Sequence, residues 1–354
     1  MNPSRPTPQR PVASVLIGRF QPFHVGHLAL LRAALAGDGH CVLVLGSAHA
    51  AASPKNPWSF AERCQLILAA LAEEERARLS VVALRDYYDE ARWATAVVRA
   101  VGAALTAAGL GDAAIRLVGH GKDASSSYLR LFPDWTLSDL PRQAAIDAAQ
   151  IREVLWQTPA AARRALATLA ALMPASTLDF LQSWLGSPAH AMLCEEQAAL
   201  QAHQTAWRHA PYPPVFVTVD TLVTCCRHVL LIQRGKAPGK GRLALPGGFV
   251  EPQETLQAAA LRELREETQL RVLPASGELR GQAVFDHPQR SQLGRVITHV
   301  WHYALTAGSL PDVRGADDAA SARWFAFEEL AALESRLHDD HFMILDHFLG
   351  LLPR

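Results

Sequence analysis

Apolar positions fall into short, nearly unbroken runs separated by stretches of helical spacing, and this alternation fills the first half of the chain. Val12–Ile17 (VASVLI), His40–Gly46 (HCVLVLG), Leu79–Leu84 and Ile115–Val118 have the length and β-branched content of buried strands. Between them, GRFQPFHVGHLALLRAAL, NPWSFAERCQLI and RDYYDEARWATAVVRAV each read as turn residues followed by a helix. Strands alternating with helices predict an α/β domain, a Rossmann-like doubly wound parallel sheet over residues 12–157. The polar, Pro-rich start MNPSRPTPQRP lacks an apolar signal segment and is expected to be a disordered arm, residues 1–11.

From Thr158 to Ala210 the spacing is helical, with Pro174, Gly186 and Pro188 as breaks, so residues 158–210 are expected to form a helical extension and connector. Glu195–Glu196 reads there as a solvated face. At APYPPVFVTVD the pattern switches to strands, which places a boundary near Pro211 and a second domain over 211–354. Val215–Val223 and Val229–Gln233 read as strands joined by CCRH, and a helix follows LPGG. Beyond it, VFDHPQRSQLGRVITHVWHYAL reads as a loop and then a strand. GADDAASARWFAFEEL is a charged loop (Asp317, Asp318) before a strand with Trp324, and HDDHFMILDHFLGLL is an amphipathic helix.

Length and charge limit the function classes. A chain of 354 residues is long enough for two domains with real cores. Lys plus Arg number 34 and Asp plus Glu number 34, so no charge excess favours nucleic acid or an anionic membrane surface. No apolar run reaches membrane-spanning length. Cys41, Cys64, Cys194, Cys225 and Cys226 show no zinc spacing, and adjacent Cys225 and Cys226 would face opposite sides of a strand. Reduced thiols and a cytoplasmic protein are expected.

The chemistry concentrates in a few places. In LPGGFVEPQETLQAAALRELREETQL, offsets of three and four residues put Glu263, Glu266 and Glu267 on one helical face. Like charges so close repel, unless a divalent cation takes them as oxygen ligands and shares its shell with a phosphate. The plainer reading is a solvated acidic face braced by arginines. His24 and His27 sit between a strand and a helix start, where free N–H groups and the helix dipole favour anions. Incidental histidines are the plainer alternative. Gly119, His120, Lys122 and Asp123 follow the fourth strand, where open parallel sheets bind ligands, so Lys122 and Asp123 are assigned to phosphate or ribose rather than to mere exposure. Arg234 and Arg242 are either phosphate neighbours or an exposed basic loop. His338, Asp339, Asp340 and His341 read as a solvated helix start, with metal binding as the alternative.

Two resemblances sharpen this. Gly247–Gly248, Glu254, Arg262–Glu263, Leu264 and Glu266–Glu267 follow the spacing of the Nudix box of diphosphate hydrolases. Gln269 stands where that box usually has Gly, a departure at the helix end rather than among the metal ligands. His24-x-Gly26-His27 resembles the signature of the nucleotidylyltransferase superfamily, and GRFQPFHVGH that of NMN adenylyltransferases of the archaeal type. AIDAAQIREVL keeps Ile146, Ile151 and Arg152 of the superfamily's second motif but has Asp147, Ala148 and Ala149 where hydroxyls are usual; Asp147 can still cap the helix. FDHPQRS followed by GRVITH is similar to the ADP-ribose-hydrolysing Nudix proteins fused to NMN adenylyltransferases.

In its order of motifs the whole chain resembles bifunctional NMN adenylyltransferase/Nudix hydrolases. The resemblance implies a Rossmann-like transferase domain and an α/β/α Nudix domain. It implies NAD and pyrophosphate from ATP and NMN, with His24, His27 and Arg152 at the phosphates and Gly18, Arg19, Phe20, Ser47, Asn56 and Arg63 lining the site. Trp93 is either the nicotinamide stacker or a core residue. It also implies hydrolysis of ADP-ribose with Mg²⁺, or Mn²⁺, on Gly247, Glu263, Glu266 and Glu267, and with Glu254 and Arg262 behind them. Which carboxylate acts as base stays open. Asp286, Arg290 and Arg295 touch substrate or merely shape a hairpin. The partners expected are small molecules, with no nucleic acid and no membrane, and homo-oligomer formation stays open. An ADP-ribose-sensing regulator, another adenylyl acceptor, or NADH as the hydrolase substrate are the rival readings.

Overall fold

Five parallel strands build the first sheet: β1 (Val12–Gly18), β2 (Cys41–Leu45), β3 (Leu79–Ala83), β4 (Ala114–Gly119) and β5 (Thr136–Asp139), in the order β3-β2-β1-β4-β5. Successive residues of a strand face opposite sides, and both sides are apolar here. Val15, Val42, Val44 and Leu117 pack on Val97, Val101 and Leu105 of α4 (Glu90–Ala107). Their neighbours Leu16, Leu43, Leu45 and Val118 pack on Leu31 of α1 (Val25–Ala34) and Ile67 of α2 (Phe60–Ala69). A short α3 (Glu73–Ala77) precedes β3. Since β1 has β2 on one side and β4 on the other, the strand order reverses between β1 and β4, and their carboxyl ends open the ligand crevice of such sheets. Strand β5, TLSD, carries no apolar run, which is why hydrophobic patterning misses it.

The structure is a computed structural model that describes residues 11–36, 39–119, 130–141, 146–270 and 277–352. The expected N-terminal arm up to residue 10, and His120, Lys122 and Asp123, lie outside the described residues. The chain divides into two units, residues 1–191 and 192–354. Helices α5 (Ala148–Glu153), α6 (Pro159–Thr168), α7 (Ala175–Trp184) and α8 (Pro188–Trp207) follow β5 in the chain, and the division falls inside α8. The breaks fall where Pro and Gly demand them: Pro159 opens α6, Pro174 is the N-cap of α7, and Gly186 has φ +87°.

In the second unit β6 (Val215–Cys225), β7 (His228–Arg234), β10 (Gly277–Phe285), β11 (Arg295–Leu305) and β12 (Ala319–Ala326) order as β10-β11-β6-β7-β12. The short strands β8 (Leu243–Ala244) and β9 (Gly247–Phe249) add to β7 and β6. Ala259 and Ala260 of α9 (Leu256–Thr268) pack on Val219 on one face. On the other, Phe342, Ile344 and Leu345 of α11 (His341–Leu349) pack on Leu222 and Val300, each such burial contributing roughly 1.5–3 kcal/mol. Helix α10 (Phe327–Leu330) follows β12. This is the expected α/β/α layering.

Two local expectations fail. Cys226 is not in a strand: with φ +48° it forms a two-residue turn with Arg227 (φ +61°), the left-handed pair that a tight hairpin requires, and its sulfur lies 3.7 Å from that of Cys225. Val284 and Phe285, read as the start of a loop, instead end the edge strand β10, whose polar Glu278, Arg280 and Gln282 leave no apolar run to detect.

Candidate active sites

The first site forms where β1 ends. The chain turns from Gly18 through Phe20 to His24, the N-cap of α1. A Cβ on Gly18 would come within 2.8 Å of the Phe20 ring, and Phe20 itself holds φ +53° while buried. Backbone strain of this kind collects where a loop must present groups in one geometry. His24 Nδ1 accepts from the His27 N–H and His27 Nδ1 from the His24 N–H, both at 3.4 Å, and the rings stack with centroids 3.6 Å apart. Burial, and then neighbouring His24, hold His27 well below its ordinary pKa, against the Pro22 carbonyl.

Two guanidiniums converge on the same loop. Arg152 of α5 donates from Nη1 to the Gln21 carbonyl, and burial followed by the charge of Arg19 brings it down to about 10. Two cations brought together beside a helix N-terminus make an anion site. Arg19 donates from Nη1 to Asn56 Oδ1 at 3.4 Å. Asp147 caps α5, its N–H donating to Gln150 Oε1 at 3.0 Å, so the segment keeps its helix without the missing hydroxyls.

Arg63 departs from expectation. It is fully buried, and its guanidinium donates to the carbonyls of Arg19 (2.8 Å), Gly46 (2.8 Å), Ser47 (3.2 Å) and Ser59 (3.3 Å). It therefore ties the loops after β1 and β2 together instead of presenting a free fork to phosphate. Ser47, at φ +50°, is fixed by its N–H to Asp86 Oδ1 at 3.1 Å, and Gly46 N–H donates to the Gly18 carbonyl at 3.0 Å. Gly119 ends β4 across the crevice. Trp93 is half-buried in α4 with its ring 5.9 Å from Phe132, which stacks on Trp135 at 4.3 Å.

The second site centres on β9 and α9. Glu267 is buried and its Oε2 accepts from the Gly247 N–H at 2.9 Å. Burial, then Glu263 and Asp220, push its carboxyl up to about 8 against the pull of that N–H and of Arg234. Arg262 forks onto Glu254 (3.0 and 2.7 Å) and reaches Glu263 at 2.9 Å, Glu266 at 3.0 Å and the Phe249 carbonyl at 3.3 Å. Neither glycine of the turn tolerates a side chain. A Cβ on Gly247 would meet the Val219 carbonyl at 2.1 Å, and one on Gly248 the Glu263 carboxylate at 2.5 Å.

Among the described residues no three His, Cys, Asp or Glu side chains already converge at metal-holding distance. Arg262 draws Glu263 and Glu266 to itself. The donor set nevertheless suits a hard divalent cation. It is all oxygen, and one carboxylate is raised by burial beside like charges, a cost that a cation relieves.

Around this core the structure brings in one acid that the pattern did not single out and settles the surroundings of several residues that it did. Asp220 of β6 is buried, pairs in register with Gly247 and accepts from Thr298 Oγ1 at 2.5 Å. Its signal was a lone acid inside VFVTVDTLV. Arg290 forks onto buried Asp340 at 2.9 and 2.8 Å, and is no free substrate ligand. Asp340 and His341 are likewise buried, with His341 Nδ1 accepting from the Leu245 N–H at 3.0 Å, so HDDH is not a solvated helix start. Glu196 is no solvated acid either: it accepts from the N–H groups of Gly239 (2.6 Å) and Lys240 (3.2 Å). Arg295 donates to the Asp286 carbonyl and lies 3.8 Å from its carboxylate, closing the β10–β11 loop. Arg234 donates to the Pro238 carbonyl at 3.0 Å.

Comparison with known proteins covers both units. Residues 215–348 match the family model of the NUDIX domain, and residues 15–105 the Cytidylyltransferase-like model. The chain is similar to a nicotinamide/nicotinic acid mononucleotide adenylyltransferase of Acinetobacter baylyi, 32% identical over 186 residues, 52% of this chain and 93% of that protein. It is similar to an ADP-ribose pyrophosphatase of Methanocaldococcus jannaschii, 37% identical over 133 residues, 38% of this chain and 72% of that protein. Among solved structures, a bifunctional NMN adenylyltransferase/ADP ribose pyrophosphatase from Francisella tularensis, complexed with AMP and Mn ion, superposes with TM-score 0.84 at 31% identity, covering 96% of this chain and 99% of that one.

Proposed function

The chain belongs to the family of bifunctional NMN adenylyltransferase/ADP-ribose pyrophosphatases, and from that premise we propose two reactions, one in each unit. The first joins ATP and NMN into NAD and pyrophosphate. The second hydrolyses ADP-ribose to AMP and ribose 5-phosphate. What carries the reading is that both charge sets survive in one chain: a cationic loop at the N-terminus of α1, and the carboxylates of α9 around Gly247.

In the transferase an oxygen of the NMN phosphate attacks the α-phosphorus of ATP in line, and the bond to the bridging oxygen breaks as pyrophosphate leaves. No covalent enzyme intermediate is needed, so the protein's contribution is position and charge. His24, His27 and the free N–H groups of α1 hold the phosphates, and Arg152 with Arg19 neutralises the departing pyrophosphate. Arg63 keeps the two loops in place, and Trp93 faces the nicotinamide.

Nudix hydrolases need a divalent metal, and we assign Mg²⁺ here to Glu263, Glu266, Glu267 and the Gly247 carbonyl. When bound, the ion supplies Lewis acidity toward the diphosphate oxygens. Glu254 fixes Arg262, and Arg262 keeps Glu263 and Glu266 side by side. A water attacks one phosphorus and the other phosphate leaves.

Two variants test the separation, with products resolved chromatographically after incubation with Mg²⁺ and either ATP plus NMN or ADP-ribose. Glu267→Gln should lose hydrolysis and keep NAD synthesis. His27→Ala should lose NAD synthesis by orders of magnitude and keep hydrolysis. Loss of both activities in either variant refutes two independent sites.

A further inference from the structure

An aromatic wall lies beside the hydrolase site, and part of it comes from α8, ahead of the segment that matches the Nudix model. Within the second unit His203 of α8 packs at 4.8 Å on Phe216 of β6 and lies nearly parallel to Phe249 of β9, with centroids 6.4 Å apart and planes at 16°. Phe216 and Phe249 meet edge-on at 5.9 Å, and Trp207 closes on Phe216 at 5.2 Å. Two of these rings stay open to solvent, with Phe249 and Trp207 each 47% exposed. His203, by contrast, is turned inward, its Nε2 buried without a hydrogen-bond partner.

Register places this wall relative to the diphosphate chemistry. Thr218 pairs with Phe249 and Asp220 with Gly247, so Phe216, Thr218 and Asp220 share one face of β6, and Phe249 and Gly247 share the same face of β9. Along that face the exposed ring stands two residues from the glycine that Glu267 grips. At about 3.4 Å per residue, the gap is about 7 Å, the span of one ribose. The Phe249 carbonyl also receives Arg262, so the ring is anchored to the box itself.

We propose that Phe249, backed by Phe216 and His203, is the stacking platform for the purine base of the hydrolase substrate, and that α8 is part of that site. A purine offers a flat π-face to the open side of this ring, while Phe216 and His203 hold the ring from its covered side. A ribose 5-phosphate moiety offers no such face. The proposal rests on the hydrolase reading above and deepens it by naming which end of ADP-ribose lies against β6 and β9.

The test uses the full chain with Mg²⁺, comparing wild type, Phe249→Ala and His203→Ala. Base-stacking deletions are worth about 1–3 kcal/mol, so Phe249→Ala should raise the KM for ADP-ribose about 5-fold or more with a much smaller change in kcat. Inhibition by AMP should weaken by the same factor, while inhibition by ribose 5-phosphate stays as in wild type. His203→Ala, which removes only the backing of the ring, should shift AMP inhibition in the same direction by a smaller factor. NAD synthesis and the thermal midpoint report that both variants fold. Unchanged KM and unchanged AMP inhibition in Phe249→Ala overturn the platform while leaving the hydrolase reading intact. Absence of ADP-ribose turnover by the wild-type chain overturns the hydrolase reading, and the platform with it.

Discussion

Gln269→Gly should make the second unit more stable without altering its chemistry. Gln269 is the C-cap of α9, with φ +55° and ψ +19°, the left-handed conformation that helix ends often adopt and that glycine enters freely. Its N–H donates to the Arg265 carbonyl at 3.0 Å, a bond that glycine retains, and its side chain is exposed, so little packing is lost. A residue with a Cβ gives up roughly 1–2 kcal/mol in this conformation. Glycine's wider freedom in the unfolded chain takes back about 0.4–1 kcal/mol. The net gain is about 0.5–1 kcal/mol, or a rise of about 2 °C in midpoint for a unit of this size. The assay is thermal unfolding followed by loss of ADP-ribose hydrolysis, with kcat and KM measured at 25 °C beforehand. A lower midpoint would refute the strain argument. A collapse of hydrolysis with the fold intact would show that Gln269 takes part in the site, against its assignment to the helix end.

Two further outcomes follow from buried polar groups. Burial lowers His341 from 6.5 to about 4, so below pH 6.5 the unfolded chain binds a proton that the folded chain refuses; stability is complete above pH 6.5 and falls between 6.5 and 4, by about 3 kcal/mol in all. His341→Gln should therefore flatten the wild-type loss of stability over that window in denaturant titrations, and equal slopes would refute the assignment. Arg63→Lys leaves several buried carbonyls without donors at about 1–3 kcal/mol each. Calorimetry should show the first unit melting earlier and the second unchanged, and an unshifted first transition would mean that the guanidinium is not the tie described.

How far the chain could be read depended on whether a residue's neighbours are near in sequence. Strands β1 to β4 announced themselves because a parallel sheet is buried on both faces, so each is a continuous apolar run. The box carboxylates and the His24–His27 pair are local constellations, set by helical spacing and by a strand-to-helix turn, and spacing is written in the chain. β5 and β10 were missed for the converse reason: edge strands with polar residues have no run to detect. The resemblance puts Arg63 at the phosphates and leaves Arg290 between substrate and a hairpin. What decides an arginine's role is whether carbonyls or a carboxylate already occupy the fork, and those lie far away in sequence, as with Arg290 and Asp340.

Helix α8 carries that argument one step further. Periodicity makes the stretch after Pro188 helical, and the structure has α8 there, but a helical stripe says only that some face is covered, not by what. Its acids looked like a solvated face because charged pairs usually are. In the structure Glu196 instead receives two backbone N–H groups of the loop that leads from β7 into β8, and seven residues on His203 packs against Phe216 and Phe249. Offsets of seven return to one side of a helix, so the carboxylate and the imidazole face the same unit. Glu196 bonds the loop beyond Arg234, whose charge acts on Glu267, while His203 backs the ring beyond Gly248. A segment laid along both sides of a catalytic turn in this way is in position to shape what that turn binds, and for that reason a domain cut at Pro211 should retain the box yet lose affinity for its nucleotide.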